Sequence, residues 1–582
     1  QPIANGNSEG MEIYSGSLSA TNGAQIDATT VGEGDAGKIV IRATDSILLD
    51  GEDSQGIPSG VFSTVQPEAK GNSRGVEIYS GFLTLTNGAR ISATTFGEGD
   101  AGKIVIRATD SILLDGEDSQ GLTSGVTSQV IPGAKGNSEG VEIFSGSLSA
   151  TNGAQIDATT FGEGDAGKIV ILATDSILLD GEDSQGFPSG VFSTVQPGAK
   201  GNSRGVDIDS GSLNATKGAQ INSSTVGEGD AGKIVIRATD SILLDGEDSQ
   251  GFPSGVFSTV QPEAKGNSRG VNIESGSLSA TNGAQIDATT FGEGDAGKIV
   301  IRATDSILLD GEASQGFGSG VFSTVQPGAK GDSRGVDIES GFLTVTNGAR
   351  ISATTFGEGD AGKIVIRAND SILLDGEDSQ GFSSGVLSPV QPEAKGNSGG
   401  VEIETGSLRA TNGAVISTST LGEGEAGQIV IRANDSILLD GEDSQGFPSG
   451  VFSTVEPRAD GNSRGVDIYS GSLSVTNGAV ISATTFGEGE AGQIVIRAND
   501  SILLDGEDSQ GFPSGVFSTV QPEAKGNSRG VDIYSGSLVV TNDALISAET
   551  RSDTRAGDVS INTRDFIQLS GDSGIRASAT TG

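Results

Sequence analysis

The sequence predicts an all-β fold, a solenoid of parallel coils assembled from tandem 65-residue repeats, on three observations. The first is a period. Gly-Asn-Ser begins at Gly6, Gly71, Gly136, Gly201, Gly266, Gly396, Gly461 and Gly526, and Gly331-Asp-Ser fills the one gap, so every interval is 65 residues. Residues 6–525 hold eight repeats of that length, 526–582 a shorter, diverged ninth, and 1–582 reads as a single array. The second is composition. With 92 glycines in 582 residues, 4% aromatics and no Trp, Cys or His, a thin core must be built from Val, Ile, Leu and Ala. The third is local pattern: short β-branched apolar stretches alternate with glycine turns, and no i, i+3, i+4 spacing survives two helical turns.

In the second copy the apolar stretches run 76–78, 83–85, 89–93, 104–106, 112–114 and 126–130. Gly75, Gly81, Asn87-Gly88, residues 97–102, Asp115-Gly116 and Gly125 separate them, and Asn-Gly and Asp-Gly are strong turn signals. Comparing copies assigns the faces. The position after Ile78 holds Tyr14, Tyr79, Phe144, Asp209, Glu274, Glu339, Glu404, Tyr469 and Tyr534 in successive repeats. A position that takes Tyr or Asp faces solvent, so Val76 and Ile78 point inward while Glu77 and Tyr79 point out. In the ninth copy Gln568 replaces the middle Leu of "DSILLDG", leaving Ile567 and Leu569 as the inward pair. There "SGDSGIR" also stands for "DGEDSQGFPSGVF", six residues shorter, which marks a surface excursion between two strands. Six strands, three to a coil, then give two coils per repeat, of about 28 and about 37 residues, stacked about 4.8 Å apart.

Charge and apolar content bound the class. A net charge of −42 with 34% apolar residues would fit disorder, but the apolar residues are too regularly placed. No segment approaches the roughly 20 continuous apolar residues of a membrane helix, and no signal peptide opens the chain. Gln1-Pro-Ile-Ala-Asn-Gly matches Gln261-Pro-Glu-Ala-Lys-Gly, and the chain stops at "RASATTG", so both ends read as cuts in a longer protein. No basic stripe offsets phosphate repulsion, which argues against nucleic acid.

The pattern "GNSxGVxIxSGSLxxTNGAxIxAxTxGEGDAGKIVIxATDSILLDG", present in all nine copies, resembles the repeat region of filamentous-haemagglutinin-type, two-partner-secreted exoproteins, most closely the large cyanobacterial ones. That resemblance implies a right-handed parallel β-helix, export through an outer-membrane partner transporter, and work at the cell surface or outside the cell. It transfers no catalytic residue.

Candidate sites follow from residue chemistry. Without His or Cys the usual general bases, thiol nucleophiles and zinc ligands are missing, and every carboxylate recurs in other copies. A polysaccharide-active enzyme, which needs one singular cleft, is therefore the remote reading. Calcium is the candidate cofactor: Glu98 and Asp100 in "GEGDAG", and Asp115, Glu117 and Asp118 in "DGEDSQG", place carboxylates on glycine-rich turns. Neither stretch has EF-hand or G-G-x-G-x-D spacing, and Ala313 replaces the Asp118 equivalent once, which favours a solvated acidic surface. An aromatic stripe recurs as Phe187 and Phe192, Phe252 and Phe257, Phe447 and Phe452, and Phe512 and Phe517. It serves either as a cluster pinning the excursion or as a ridge for lateral association. Asn87 reads as a turn residue. The expected function is a non-enzymatic structural or adhesive rod, a stiff stalk or matrix filament that self-associates or meets a host, neighbour-cell or matrix surface. The alternative is a calcium-organised layer or filament.

Overall fold

The protein is described by a computed structural model covering residues 6–580. All regular secondary structure among these residues is β-strand, and the strands pair in parallel, as a parallel β-helix requires. The chain divides into two compact units, Gln1–Leu278 with Ala284–Gly297, and Ser279–Gly283 with Lys298–Gly582.

In the first unit, long strands such as Val76–Thr86 and Ile104–Asp115 build one parallel sheet, and three-residue strands such as Arg90–Ser92 and Gly125–Thr127 build a second. One long and one short strand make a coil. Successive long strands begin at Val76, Ile104 and Val141, so coils of 28 and 37 residues alternate as the sequence predicts. The second unit repeats the arrangement from Ile299–Asp310 to Val559–Ser570, with short strands from Gly320–Phe322 to Gly574–Arg576.

The expected six strands per repeat become four. Stretches 76–78 and 83–85 fuse into one strand, as do 104–106 and 112–114. The chain turns a corner without ending the ladder: Ser80 pairs Ala108, but Phe82 pairs Ser111, so the longer partner absorbs an extra residue as a bulge. The stretch 126–130 contracts to Gly125–Thr127, and Val130 joins the stack only through isolated bridges to Thr95 and Thr160.

The inward set is the one read from the repeats. Val76, Ile78, Leu83, Leu85, Ile91, Ile104, Ile106, Ile112, Leu114 and Val126 are all at most 1% exposed. Each lies over another aliphatic residue, with Ile78 opposite Ile106, Ile106 opposite Ile143 and Leu114 opposite Ala150. Ile567 and Leu569 keep this inward register, opposite Leu538 and Val540, although on this last coil they are 46% and 49% exposed.

The outward position that accepts Tyr, Phe, Asp or Glu has a physical explanation. It alternates along the sheet with arginine, save at Leu172 and Asn562, and a guanidinium is satisfied by either an aromatic face or a carboxylate. Arg42 stacks over Tyr79 at 4.0 Å and Arg107 over Phe144 at 4.2 Å. Arg237 instead meets Asp209 at 3.3 Å, and in the second unit Arg302 meets Glu339 at 3.0 Å. At the turn, Asn87 (φ 53°) and Gly88 (φ 84°) adopt the left-handed conformations a tight turn needs, confirming the role read for Asn87. Lys217 takes the same conformation at φ 51° and replaces the amide contact with a 3.0 Å ion pair to Asp180.

Two neighbouring substitutions separate the faces. Ile208→Ala, at a fully buried site, should cost about 2–5 kcal/mol. Asp209→Tyr, which exchanges one arginine partner for another, should change stability by less than about 0.5 kcal/mol. Urea unfolding followed by circular dichroism measures both, and equal losses would contradict the assignment of faces.

Candidate functional site

The acidic turns are built from the strand ends outward. Asp115 closes a long strand, and its Oδ1 accepts the Thr151 hydroxyl at 2.5 Å and the Asn152 amide at 2.8 Å from the next coil. Asp118 folds the excursion on itself, its Oδ1 accepting the backbone N–H groups of Gln120 and Leu122 at 2.9 and 2.8 Å. Glu117 reaches the following excursion, where its Oε1 accepts the Ser184 N–H at 3.2 Å. On the other turn, Asp100 accepts the Asn137 N–H at 2.7 Å, and Glu98 bridges through its backbone to Lys70 and Lys135. The five predicted carboxylates thus lie on two separate turns, and four of them already accept protein donors. Glu117 Oε2 and Asp118 Oδ2 are buried without a hydrogen-bond partner. Among the described residues no three acidic side chains converge as a metal cage requires.

Successive excursions touch. The Glu117–Ser184 contact recurs as Glu182–Ser249 at 3.1 Å, and in the second unit as Glu312–Ser379 at 3.0 Å. A glutamine reaches back as well, Gln185 Nε2 to the Gln120 carbonyl at 3.5 Å and Gln445 Nε2 to that of Gln380 at 3.3 Å. Partners here are 65 or 67 residues apart, so each excursion is braced on the one a full repeat before it.

The eight predicted aromatic residues fall into two rows. Phe187, Phe252, Phe447 and Phe512, at the excursion tips, are 55–63% exposed, so they are not packed away in a cluster under the loop. Phe192, Phe257, Phe452 and Phe517 end the short strands and are partly buried. Each of these rings folds back over the glycine two residues before it. A Cβ on Gly190 would stand 3.1 Å from the Phe192 ring and would collide with the Gln220 carbonyl oxygen, so only glycine fits there.

Between the excursion wall and the outward face of the short strands lies a groove that the sequence reading missed. In the first unit it opens into clefts of 380 and 530 Å³ that share Gln129. Along its floor Phe62 stands between Asp27 and Ser92, and Phe192 between Asp157 and Asn222. The amides of Gln25 and Gln155 donate to the Pro58 and Pro188 carbonyls, each at 3.2 Å, tying excursion to floor. Arg90 does the same toward Thr123 at 3.2 Å. In the second unit the same floor positions hold Ser417 and Ser482 around Phe452, and Val415 and Val480 around Gly450. The signal was present in the sequence as copy-to-copy variation at these positions, but their place on one groove is visible only once the short strands are in register.

Burial raises the Asp157 carboxyl above its ordinary range, an effect opposed by hydrogen bonds from Thr159 and Gln129 and by the charge of Arg90. Burial likewise pushes Asp287, its counterpart two repeats on, up to about 6. Burial also lowers Arg90, against the charges of Asp118 and Asp157. Comparison with family models, with curated proteins and with solved structures finds no match to this chain.

A raised carboxyl pKa binds more protons in the folded state, so its contribution to stability is present below the unfolded value near 3.8 and is lost as pH rises through the folded one. Asp157→Asn should therefore stabilise the protein at pH 7 and lose that advantage by about pH 4. Denaturant midpoints across this range test it, and an advantage that grows toward acid would reverse the assigned sign.

Proposed function

We propose that this chain is a structural and adhesive element of a large secreted or cell-surface fibre protein, serving as a stiff stalk or matrix filament. The observation that carries the reading is the coil-to-coil bracing of every outward layer. Asp115-type carboxylates, Arg-centred stacks and Glu117-type loop contacts all join one coil or excursion to the next. Such contacts favour lengthwise rigidity over a mobile, singular reaction centre. Resemblance to filamentous-haemagglutinin-type exoproteins supports the same reading and brings with it a partner transporter and an extracellular location. The acidic surplus of −42 keeps such an element hydrated and separate from like neighbours. Chemistry on a substrate is not part of this proposal.

A calcium-organised layer or filament is the second reading. It draws on Glu117 Oε2 and Asp118 Oδ2, the buried oxygens that lack a partner on the acidic turn. Electron microscopy of the purified chain, with millimolar calcium and again with chelator, decides between the two. Discrete elongated particles in both conditions are the expected outcome. Filaments or sheets that disappear on chelation would make calcium-driven assembly the function, and compact globules in both would overturn the structural role.

A further inference from the structure

The groove of the first unit has the chemistry of a ligand site, and it differs from its counterpart in the second unit in a way that bracing does not require. The inward residues of the two units are nearly the same set, as Ile156 and Ile416, or Val191 and Val451, show on the short strands. Ser92 of the first unit matches Ser352 of the second, but the floor positions of the two repeats that follow each do not match. Asp157 and Asn222 flank Phe192 in the first unit, whereas Ser417 and Ser482 flank Phe452 in the second. The tip rings of Phe187 and Phe252, 55% and 57% exposed, stand at the wall of the 530 Å³ cleft above that floor. Rings thus recur once per repeat, about 10 Å apart along the axis for two coils, with amide and hydroxyl groups between them.

We propose that this groove binds an extended, uncharged β-linked polysaccharide, lying along the coil axis with sugar faces on the phenylalanine rings and hydroxyls on the polar groups between. This deepens the adhesive reading above by naming what one face holds. A pyranose ring presents an apolar face edged by hydroxyls, which is what a row of rings interleaved with amides and hydroxyls complements. Gln155 and Gln196 each commit Nε2 within the protein, to Pro188 and Thr194, and leave Oε1 to accept a sugar hydroxyl. A polyanion is disfavoured by the overall charge of −42, to which the exposed Asp27 adds on the floor, while Arg90, which also lines the groove, is committed to the Thr123 carbonyl. A solenoid also suits a polymer: each repeat adds one weak subsite in line with the last, and modest contacts sum along the chain.

Cellohexaose and, as an anionic contrast, hexagalacturonate are titrated calorimetrically into the full chain. Two double variants go with it, Phe187→Ala/Phe252→Ala from the first unit and Phe447→Ala/Phe512→Ala from the second. All four rings are more than half exposed, so their removal leaves the fold intact. The native chain should bind cellohexaose, the first variant about tenfold more weakly, which is about 1.4 kcal/mol, and the second variant like the native chain. Hexagalacturonate should not bind. Absence of cellohexaose binding by the native chain, equal weakening in both variants, or preference for the anionic sugar would each overturn the inference. Elongated particles in the microscope without cellohexaose binding would overturn this inference alone, whereas globular particles would remove the structural role on which it rests.

Discussion

The constraint on which each unit depends is register between parallel strands at two alternating coil lengths. Ile78, Ile106 and Ile143 lie opposite one another because coils of 28 and 37 residues return the chain to the same place. A slip of one residue would send every inward Ile and Val to solvent, since side chains alternate along a strand. The polar layer enforces the same spacing. Asp115 Oδ1 receives both the Thr151 hydroxyl and the Asn152 amide, so the end of one coil fixes where the next must turn. A charged acceptor strengthens both bonds, and the arrangement recurs at Asp50, Asp310, Asp375, Asp440 and Asp505. Core stacking and turn chemistry therefore specify one register between them.

Much of this was legible because the repeats act as internal variants of one another. Val76 and Ile78 could be placed inside and Tyr79 outside from exchanges between copies, and the shortened ninth copy located the excursion. What escaped had a common cause: sequence reasoning sees neighbours along the chain, not across it. The glycine at Gly81 looked like a break between strands. The ladder instead continues through it, because the partner strand supplies an extra residue at the corner. Tyr79 was recognised as exposed but not as one face of an arginine stack, since Arg42 lies a coil away. The carboxylates of "DGEDSQG" were correctly placed on a turn, yet Glu117 is engaged by Ser184, 67 residues on. The floor of the groove was invisible for the same reason, as Asp157 and Phe192 meet only through the short-strand ladder.

Charge is used locally against its own overall excess. Lysines and arginines act as struts between coils, as in Lys103–Glu142 at 2.5 Å, Lys168–Asp207 at 2.6 Å and Arg74–Asp35 at 3.1 Å. Each is solvent-exposed and so contributes about 0–1 kcal/mol. Their value lies in direction: each of these struts joins one coil to the next along the axis and relieves repulsion where acids would otherwise stack. The excess that remains sits on turns, on excursions and at the strand corners, where Asp45, Asp110 and Asp175 lie exposed.

The copies differ from one another in two distinct ways, and the distinction separates maintenance from use. At the arginine-facing positions, exchange is symmetrical: Tyr79 serves Arg42 and Asp209 serves Arg237 by different physics, so either satisfies a guanidinium. On the groove floor the exchange is unequal: Ser92 of the first unit has its match in Ser352 of the second, but the next two repeats of each unit differ in kind. Asp157, Asn222, Gln155 and Gln220 in the first unit give way to Ser417, Ser482, Val415 and Val480 in the second, and the valines cannot form the Gln155 amide bond to the excursion. In those repeats of the second unit the excursion stands without that bond, held by the Glu–Ser and Gln–carbonyl contacts it shares with the first, while Arg350 ties floor to excursion at Ser383 as Arg90 does at Thr123. The glutamine amides of that floor are thus more than the solenoid needs to stand, and residues in excess of structural need, gathered along one open groove, are where recognition has room to act.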